Sequence, residues 1–285
     1  MRTFLIITII IVLYLSYKLL YTYKEGMNAS LVYQDESKYQ KIKLYEKGSK
    51  YWLTLNDQVQ FNSDEHKLSH YLQCDVPLLK FKPKKVLILG GGDGLAASHV
   101  LKHDFVEEVT MVEIDEKMIK MLKESKLMRK ITNNVIDNPK LNIIIQNGFD
   151  YVYKTKNKYD IIIEDIEDDH TNQKKVVHSG NYLKRLLEIS NIVSQTVGDE
   201  QDDYEKKFPI FTKNYLKNKG IYNKPKFELY TGDKEDLFDE LEYEDDFLME
   251  LEKNDVLQDV KLYICGNYYN NMFGFEMYLL SVKID

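Results

Sequence analysis

Four carboxylates stand where an α/β sheet would bring them to one edge: Asp93 inside a glycine-rich turn, Glu113 after a second apolar run, and Asp165 and Asp168 after a fourth. Carboxylates so placed can hold cations through charge-assisted hydrogen bonds or take up a proton. Asp93 occupies the loop position where a dinucleotide's pyrophosphate would lie, and its charge would repel that group. The ligand that fits is a nucleoside carrying positive charge and no phosphate, such as the sulfonium S-adenosylmethionine or a relative. Two plainer readings stand beside this one: a solvated turn Asp that only shapes the loop, and an acidic surface loop at 165–169 with Asp165 capping a helix.

The elements that must position these groups follow from apolar periodicity. Residues 86–89 form a continuous apolar strand, Gly90, Gly91, Gly92 and Gly94 make a tight turn, and 95–102 carry apolar residues at helical spacing. A second strand at 109–112 ends in Glu113 and Asp115, the place in a βαβ unit where an acid holds a ribose. Then come a helix over 116–130, a strand over 141–146 leading to Asn147 and Gly148, a strand over 161–163 ending in Glu164 and Asp165, a helix over 181–189 and a strand over 192–197. Upstream, 30–61 alternates apolar and polar residues as a small antiparallel sheet, and 64–79 is expected as a helix. Downstream, a helix is expected at 211–219, and 260–265 with 273–282 alternate like a hairpin closing the far side of the sheet.

Composition narrows the classes. The chain of 285 residues has a net charge of -7, concentrated at 228–255, where thirteen acidic residues face only Lys234 and Lys253. That stretch reads as a solvated helical insertion or an acidic arm. No basic stripe stands apart from the lysine-rich background, so no nucleic-acid partner is expected. Cys74 and Cys265 lack metal-ligand spacing; they are expected to be packing residues in a reducing setting, with no metal site. Residues 4–23 are nearly all apolar over the length a bilayer helix requires, with only Lys18 charged, and are expected to be a single-pass transmembrane anchor. A cleaved signal peptide and a buried core helix are the alternatives. Lysines are denser after the segment than before it, which leaves the globular part cytoplasmic.

One ribose-binding acid would suffice for methyl transfer. The further carboxylates point to a second substrate that is itself cationic, and an alkyl diamine meets that demand. An amine must lose a proton to attack, and one carboxylate can accept it while its neighbours hold the distal ammonium.

From about residue 31 to the C-terminus the chain resembles the polyamine aminopropyltransferases, the spermidine and spermine synthase family. The resemblance rests on Ser37-Lys38-Tyr39-Gln40, on Leu55-Asn56-Asp57-Gln58-Val59-Gln60 with Asp64-Glu65, and on Val86-Leu87-Ile88-Leu89-Gly90-Gly91-Gly92-Asp93-Gly94. It continues through Val112-Glu113-Ile114-Asp115, Asn147-Gly148-Phe149, Tyr159-Asp160-Ile161-Ile162-Ile163-Glu164-Asp165 and Gly274-Phe275. It implies an α/β, Rossmann-like, class I methyltransferase-type fold over 80–285, preceded by an antiparallel β domain with a linking helix over 30–79 and the anchor over 1–24. It implies decarboxylated S-adenosylmethionine as co-substrate, no permanently bound cofactor, a small-molecule polyamine as partner and a homodimer. Gln40, Gly90, Gly92, Asp93, Glu113, Asn147 and Gly148 would hold the donor, with Glu113 on the ribose and Asp93 near the aminopropyl end. Asn147 stands where the family has an Asp near the adenine. Asp165 would be the catalytic base, and Asp93, Asp165, Asp168 and Tyr268 would bind the amine.

The chain also departs from the pattern. After Asp64-Glu65 the family has a Tyr, a His or Gln, and a Glu, whereas this chain has Leu68, Ser69 and His70. The D-P-x-G-P-A lid is replaced by Asp168-Asp169-His170-Thr171-Asn172. A changed amine substrate, methyl transfer on the same fold, and a membrane-tethered binding protein without activity are the readings that these departures leave open.

Overall fold

The computed structural model describes residues 29–63, 66–166, 180–196, 226–229, 260–268 and 275–283. The apolar run at 4–23, Asp168 with the rest of 167–179, the helix expected at 211–219 and nearly all of the acidic stretch lie outside the described residues. Among the described residues no helix is long and apolar enough to cross a membrane. The chain divides into two compact units, Met1–His66 and Lys67–Asp285.

The first unit is an antiparallel meander of β1 (Ser30–Glu36), β2 (Lys41–Lys47), β3 (Lys50–Leu55) and β4 (Gln58–Asn62), paired in that order. Alternation buries Ile42, Leu44, Leu53 and Phe61. Asn56 and Asp57 join β3 to β4 with φ of 51° and 67°. This left-handed pair matches the twist of a tight hairpin, and Asn and Asp tolerate it.

The second unit is built on an eight-stranded sheet among the described residues. In chain order its strands are β5 (Lys85–Gly90), β6 (Glu108–Glu113), β7 (Leu141–Ile145), β8 (Tyr159–Asp165), β9 (Ser190–Thr196), β10 (Lys226–Leu229), β11 (Val260–Tyr268) and β12 (Phe275–Lys283). The spatial order is β10-β11-β12-β9-β8-β5-β6-β7, with β5 to β9 parallel and the last three strands antiparallel. Val86, Leu87, Ile88, Leu89, Ile161, Ile162 and Ile163 are fully buried, as strands covered on both faces require.

The helices differ from expectation in three places. The run over 116–130 is two helices, α4 (Glu116–Glu124) and α5 (Lys126–Ile131). Ser125 between them is extended, and its hydroxyl accepts from the Met128 N–H at 3.3 Å, so N-capping by serine interrupts an otherwise continuous apolar period. A short helix, α6 (Gly148–Lys154), starts behind Asn147. The helix expected over 64–79 is α1 (His66–His70), a π-helical turn (Tyr71–Asp75) and α2 (Val76–Phe81).

Pro77 explains how the π-turn is accommodated. A proline has no N–H to give to the carbonyl of Gln73 one turn earlier. Ser194 of β9 supplies the bond instead, its Oγ donating to the Gln73 carbonyl at 2.9 Å within a buried setting. The turn is also tied to α3 (Leu95–Leu101) and the residues after it. Buried Asp75 meets His99 at 2.5 Å, Lys102 at 2.8 Å and His103 at 2.6 Å. Burial alone would raise the Asp75 carboxyl, but bonds from these three basic groups outweigh it and hold it below the usual carboxylate range.

Ser194→Ala is expected to destabilise the chain by about 1–3 kcal/mol, the cost of stranding a buried carbonyl. Pro77→Ala restores an N–H to the turn, so the double variant should lose less than the sum of the singles. Chemical denaturation of the four proteins measures that coupling; additive losses would mean that Ser194 does not replace the missing proline donor.

Candidate active site at the carboxyl edge of the sheet

The site forms where strand order reverses. From β5 the chain passes through α3 to β6 on one side, while β8 lies on the other, and this switch point opens a crevice at the carboxyl ends of the strands. Gly90, the last residue of β5, is in register with Asp165, the last residue of β8. The glycine loop then turns directly against two acids. Gly90 has φ of 83°, and a Cβ there would collide with the Asp165 carbonyl oxygen. The Gly91 N–H donates to that oxygen at 3.1 Å. A Cβ on Gly92 would lie 2.6 Å from Glu113 Oε2, to which the Gly92 N–H donates at 3.0 Å.

Glu113 is thus held at both oxygens by backbone, since the Asp115 N–H donates to its Oε1 at 2.7 Å. Burial nevertheless pushes its carboxyl up to about 7, against the opposing effect of those bonds. A ligand whose hydroxyls donate to Glu113 favours the ionised form and is bound more tightly as pH rises through that value. The Gln146 N–H donates to the Glu113 carbonyl at 2.9 Å, which brings the end of β7 beside it. There Asn147 caps α6, its side chain accepting from the Asp150 N–H at 3.2 Å, and Gly148 is the first helical residue.

Asp93 is half-buried, with Oδ1 accepting from the Leu95 N–H at 2.8 Å at the start of α3. Burial and the neighbouring charge of Asp165 push its carboxyl up. Asp93, Asp165 and His70 each aim one polar atom into a space no more than 4.8 Å across. His70 Nε2 lies 3.9 Å from Asp165 Oδ2. Two carboxylates at this separation cannot both ionise without cost unless a cation joins them, so the geometry suits a bound ammonium or sulfonium.

Gln40, Tyr268 and Asp168 are the remaining residues that the resemblance assigns to the donor and the amine. Gln40 belongs to the first unit, where its N–H donates to Ser37 Oγ at 3.1 Å and its carbonyl accepts from the Ser37 N–H. Tyr268 ends β11, paired across the hairpin with Phe275. Asp168 lies outside the described residues.

Sequence reasoning assigned no role to His70, Gln73 or Glu164. Gln73 Nε2 donates to the Glu164 carbonyl at 2.7 Å, and Gln195 Nε2 donates to Glu164 Oε2 at 2.5 Å. These bonds fix the peptide from which Asp165 projects. Pro77 is the signal that could have exposed the arrangement, because a proline four residues beyond Gln73 breaks the α-helical bond pattern in a segment otherwise read as one helix.

Gly90→Ala should lower stability by about 3 kcal/mol or more, combining a left-handed backbone with overpacking. Gly148→Ala, whose Cβ would meet Leu89 Cδ2 at an ordinary 3.7 Å, should change it little. Thermal unfolding of the two variants tests this contrast; equal losses would show that the loop does not depend on its close approach to Asp165.

Residues 65–218 match the family model described as the spermine/spermidine synthase domain. The chain is 35% identical over 184 residues to polyamine aminopropyltransferase 2 of Aquifex aeolicus, covering 63% of this chain and 37% of that protein. It is 39% identical over 142 residues to the polyamine aminopropyltransferase of Methanocaldococcus jannaschii, covering 48% and 47%. The chain therefore spans between about a third and a half of the length of these curated relatives. The crystal structure of spermidine synthase from Thermotoga maritima superposes with a TM-score of 0.56 at 23% identity, covering 90% of this chain and 74% of that one. A spermidine synthase in complex with the transition state analogue AdoDATO superposes with a TM-score of 0.58 at 24% identity, with the same coverage. These superpositions establish a shared fold, and the family match over more than half of the sequence establishes descent: the chain belongs to the spermine/spermidine synthase domain family.

Proposed function

We propose that the chain transfers the aminopropyl group of decarboxylated S-adenosylmethionine to a diamine or polyamine, releasing methylthioadenosine. The observation that carries this reading is the pairing of Asp93 with Asp165 across the glycine loop, next to a backbone-held Glu113. The names of the relatives, polyamine aminopropyltransferases, support it. So does the AdoDATO complex of a structural neighbour.

In this reading Glu113 accepts the ribose hydroxyls, and Asn147 and Gly148 at the end of β7 serve the adenine side. Asp93 faces the positive aminopropyl end of the donor. Asp165 takes a proton from the attacking amine. The nitrogen lone pair then forms a bond to the carbon beside the sulfonium, the carbon–sulfur bond breaks, and its electron pair neutralises sulfur as methylthioadenosine leaves. Asp93 and Asp165 lose burial cost when the two cationic substrates enter, so binding and ionisation reinforce one another. Gln40, Asp168 and Tyr268 are assigned to the donor and the amine by resemblance. We extend the proposal to location: residues 4–23 anchor the chain in a membrane by a single pass, with the globular part on the cytoplasmic side.

The test incubates the full chain with decarboxylated S-adenosylmethionine and a set of diamines and polyamines and measures methylthioadenosine. Turnover is expected, and Asp165→Asn should lower kcat by about 10²-fold to 10⁴-fold through loss of the base. Absence of product with every amine contradicts the proposal. S-adenosylhomocysteine formed from the carboxylated donor would replace it with methyl transfer, and donor binding without product would replace it with a binding role.

A further inference from the structure

We infer that His70 is a specificity-determining residue of the acceptor site, whose imidazolium competes with the acceptor's ammonium for Asp93 and Asp165. The inference rests on the aminopropyl-transfer reading of the same site.

Three observations carry it. First, His70 stands beside the acidic pair, with Nε2 3.9 Å from Asp165 Oδ2 and one polar atom of each of the three residues within 4.8 Å of the others. Second, its position is held firmly. His70 is buried, it immediately precedes the π-turn, and Gln73 in that turn donates to the carbonyl of Glu164, the residue before Asp165. This bond ties the segment that carries the imidazole to the strand end that carries the carboxylate; single-turn π-bulges occur frequently at functional sites. Third, titratable and charged groups of other elements gather around it: Asp165 from β8, Asp93 from the glycine loop, and His99 of α3 with its ring 5.6 Å away, beside Lys102 and with Asp75 bonded to both. Cys74 is the neighbouring titratable group on the π-turn itself, and burial keeps its thiol far above the usual range.

The consequence for substrate choice is direct. With neutral His70, the two carboxylates present their full charge to an ammonium, and the imidazole adds a hydrogen-bonding edge beside the reacting nitrogen. With protonated His70, an internal cation occupies the same carboxylates, and a diammonium must displace or repel it. Because linkage is reciprocal, a cationic acceptor that prefers the neutral imidazole must lose affinity as that imidazole gains its proton. An acceptor of lower charge is penalised less, so the residue tunes both the pH range and the charge of the amine accepted.

The experiment is calorimetric titration of the full chain with putrescine in the presence of methylthioadenosine, between about pH 8 and pH 5.5, the range in which histidine ordinarily changes charge. His70→Gln and His70→Asn are measured alongside, each first checked for an unchanged far-UV spectrum so that one misfolded variant does not decide the result. Wild-type affinity is expected to fall about tenfold more than that of either neutral variant across this range, as a one-proton linkage would give. Parallel curves for wild type and variants would overturn the inference, as would failure of the diamine to bind any of the three proteins at pH 8. Methylthioadenosine formation at pH 8 is scored separately: product with parallel curves rejects only the role of His70, and divergent curves without product reject only the aminopropyl-transfer reading.

Discussion

The close approach of the glycine loop to Asp165 and Glu113 is the constraint on which the remainder of the site depends. Gly90 abuts the Asp165 carbonyl, Gly91 donates to that carbonyl, and Gly92 donates to the Glu113 side chain. A side chain at either end of this contact would force the β5 loop away from β8 or β6. The ends of three adjacent strands would then lose their register around the crevice. The loop is thus the fastener that brings two carboxylates from different strands to one place.

Electrostatics gives the fastener its purpose. Glu113 and Asp93 are both pushed toward protonation by burial, and Asp93 additionally by Asp165. A fold that spends stability on like-charged buried groups recovers it when a cation arrives. The same principle appears beneath the site with the opposite resolution. Asp75 is more deeply buried than Asp165, yet His99, Lys102 and His103 already satisfy it within the protein. One acid is closed off by the chain's own basic groups, whereas the proposed function leaves the acids at the crevice for a cation from outside.

Much of this was legible in the sequence because the central strands are buried on both faces and the glycines have a geometric duty. Continuous apolar runs at 86–89 and 161–163 and the mostly apolar run at 109–112 mark parallel strands, and the acids that follow them fall at their carboxyl ends. What periodicity could not show was long-range hydrogen bonding. Ser194 and Gln73 are 121 residues apart in sequence, and nothing local marks either as a partner. His70 lies in a polar run at 64–70 that looks like a solvated helix face, and only the π-turn and its bond to Glu164 place it beside Asp165. Ser125 was similarly hidden, since a serine in an apolar period reads as part of the polar face until its hydroxyl is seen capping the next helix.

The central claim is that this crevice is built for a cationic nucleoside without a carboxylate. Calorimetric affinities of the full chain for decarboxylated S-adenosylmethionine and for S-adenosylmethionine itself test it most directly. The two ligands share the nucleoside and sulfonium and differ in one negative charge at the end assigned to Asp93 in the proposed function. The account predicts that the decarboxylated form binds at least about tenfold more tightly, because a third carboxylate beside Asp93 and Asp165 adds like-charge repulsion. Equal affinities, or tighter binding of S-adenosylmethionine, would contradict it.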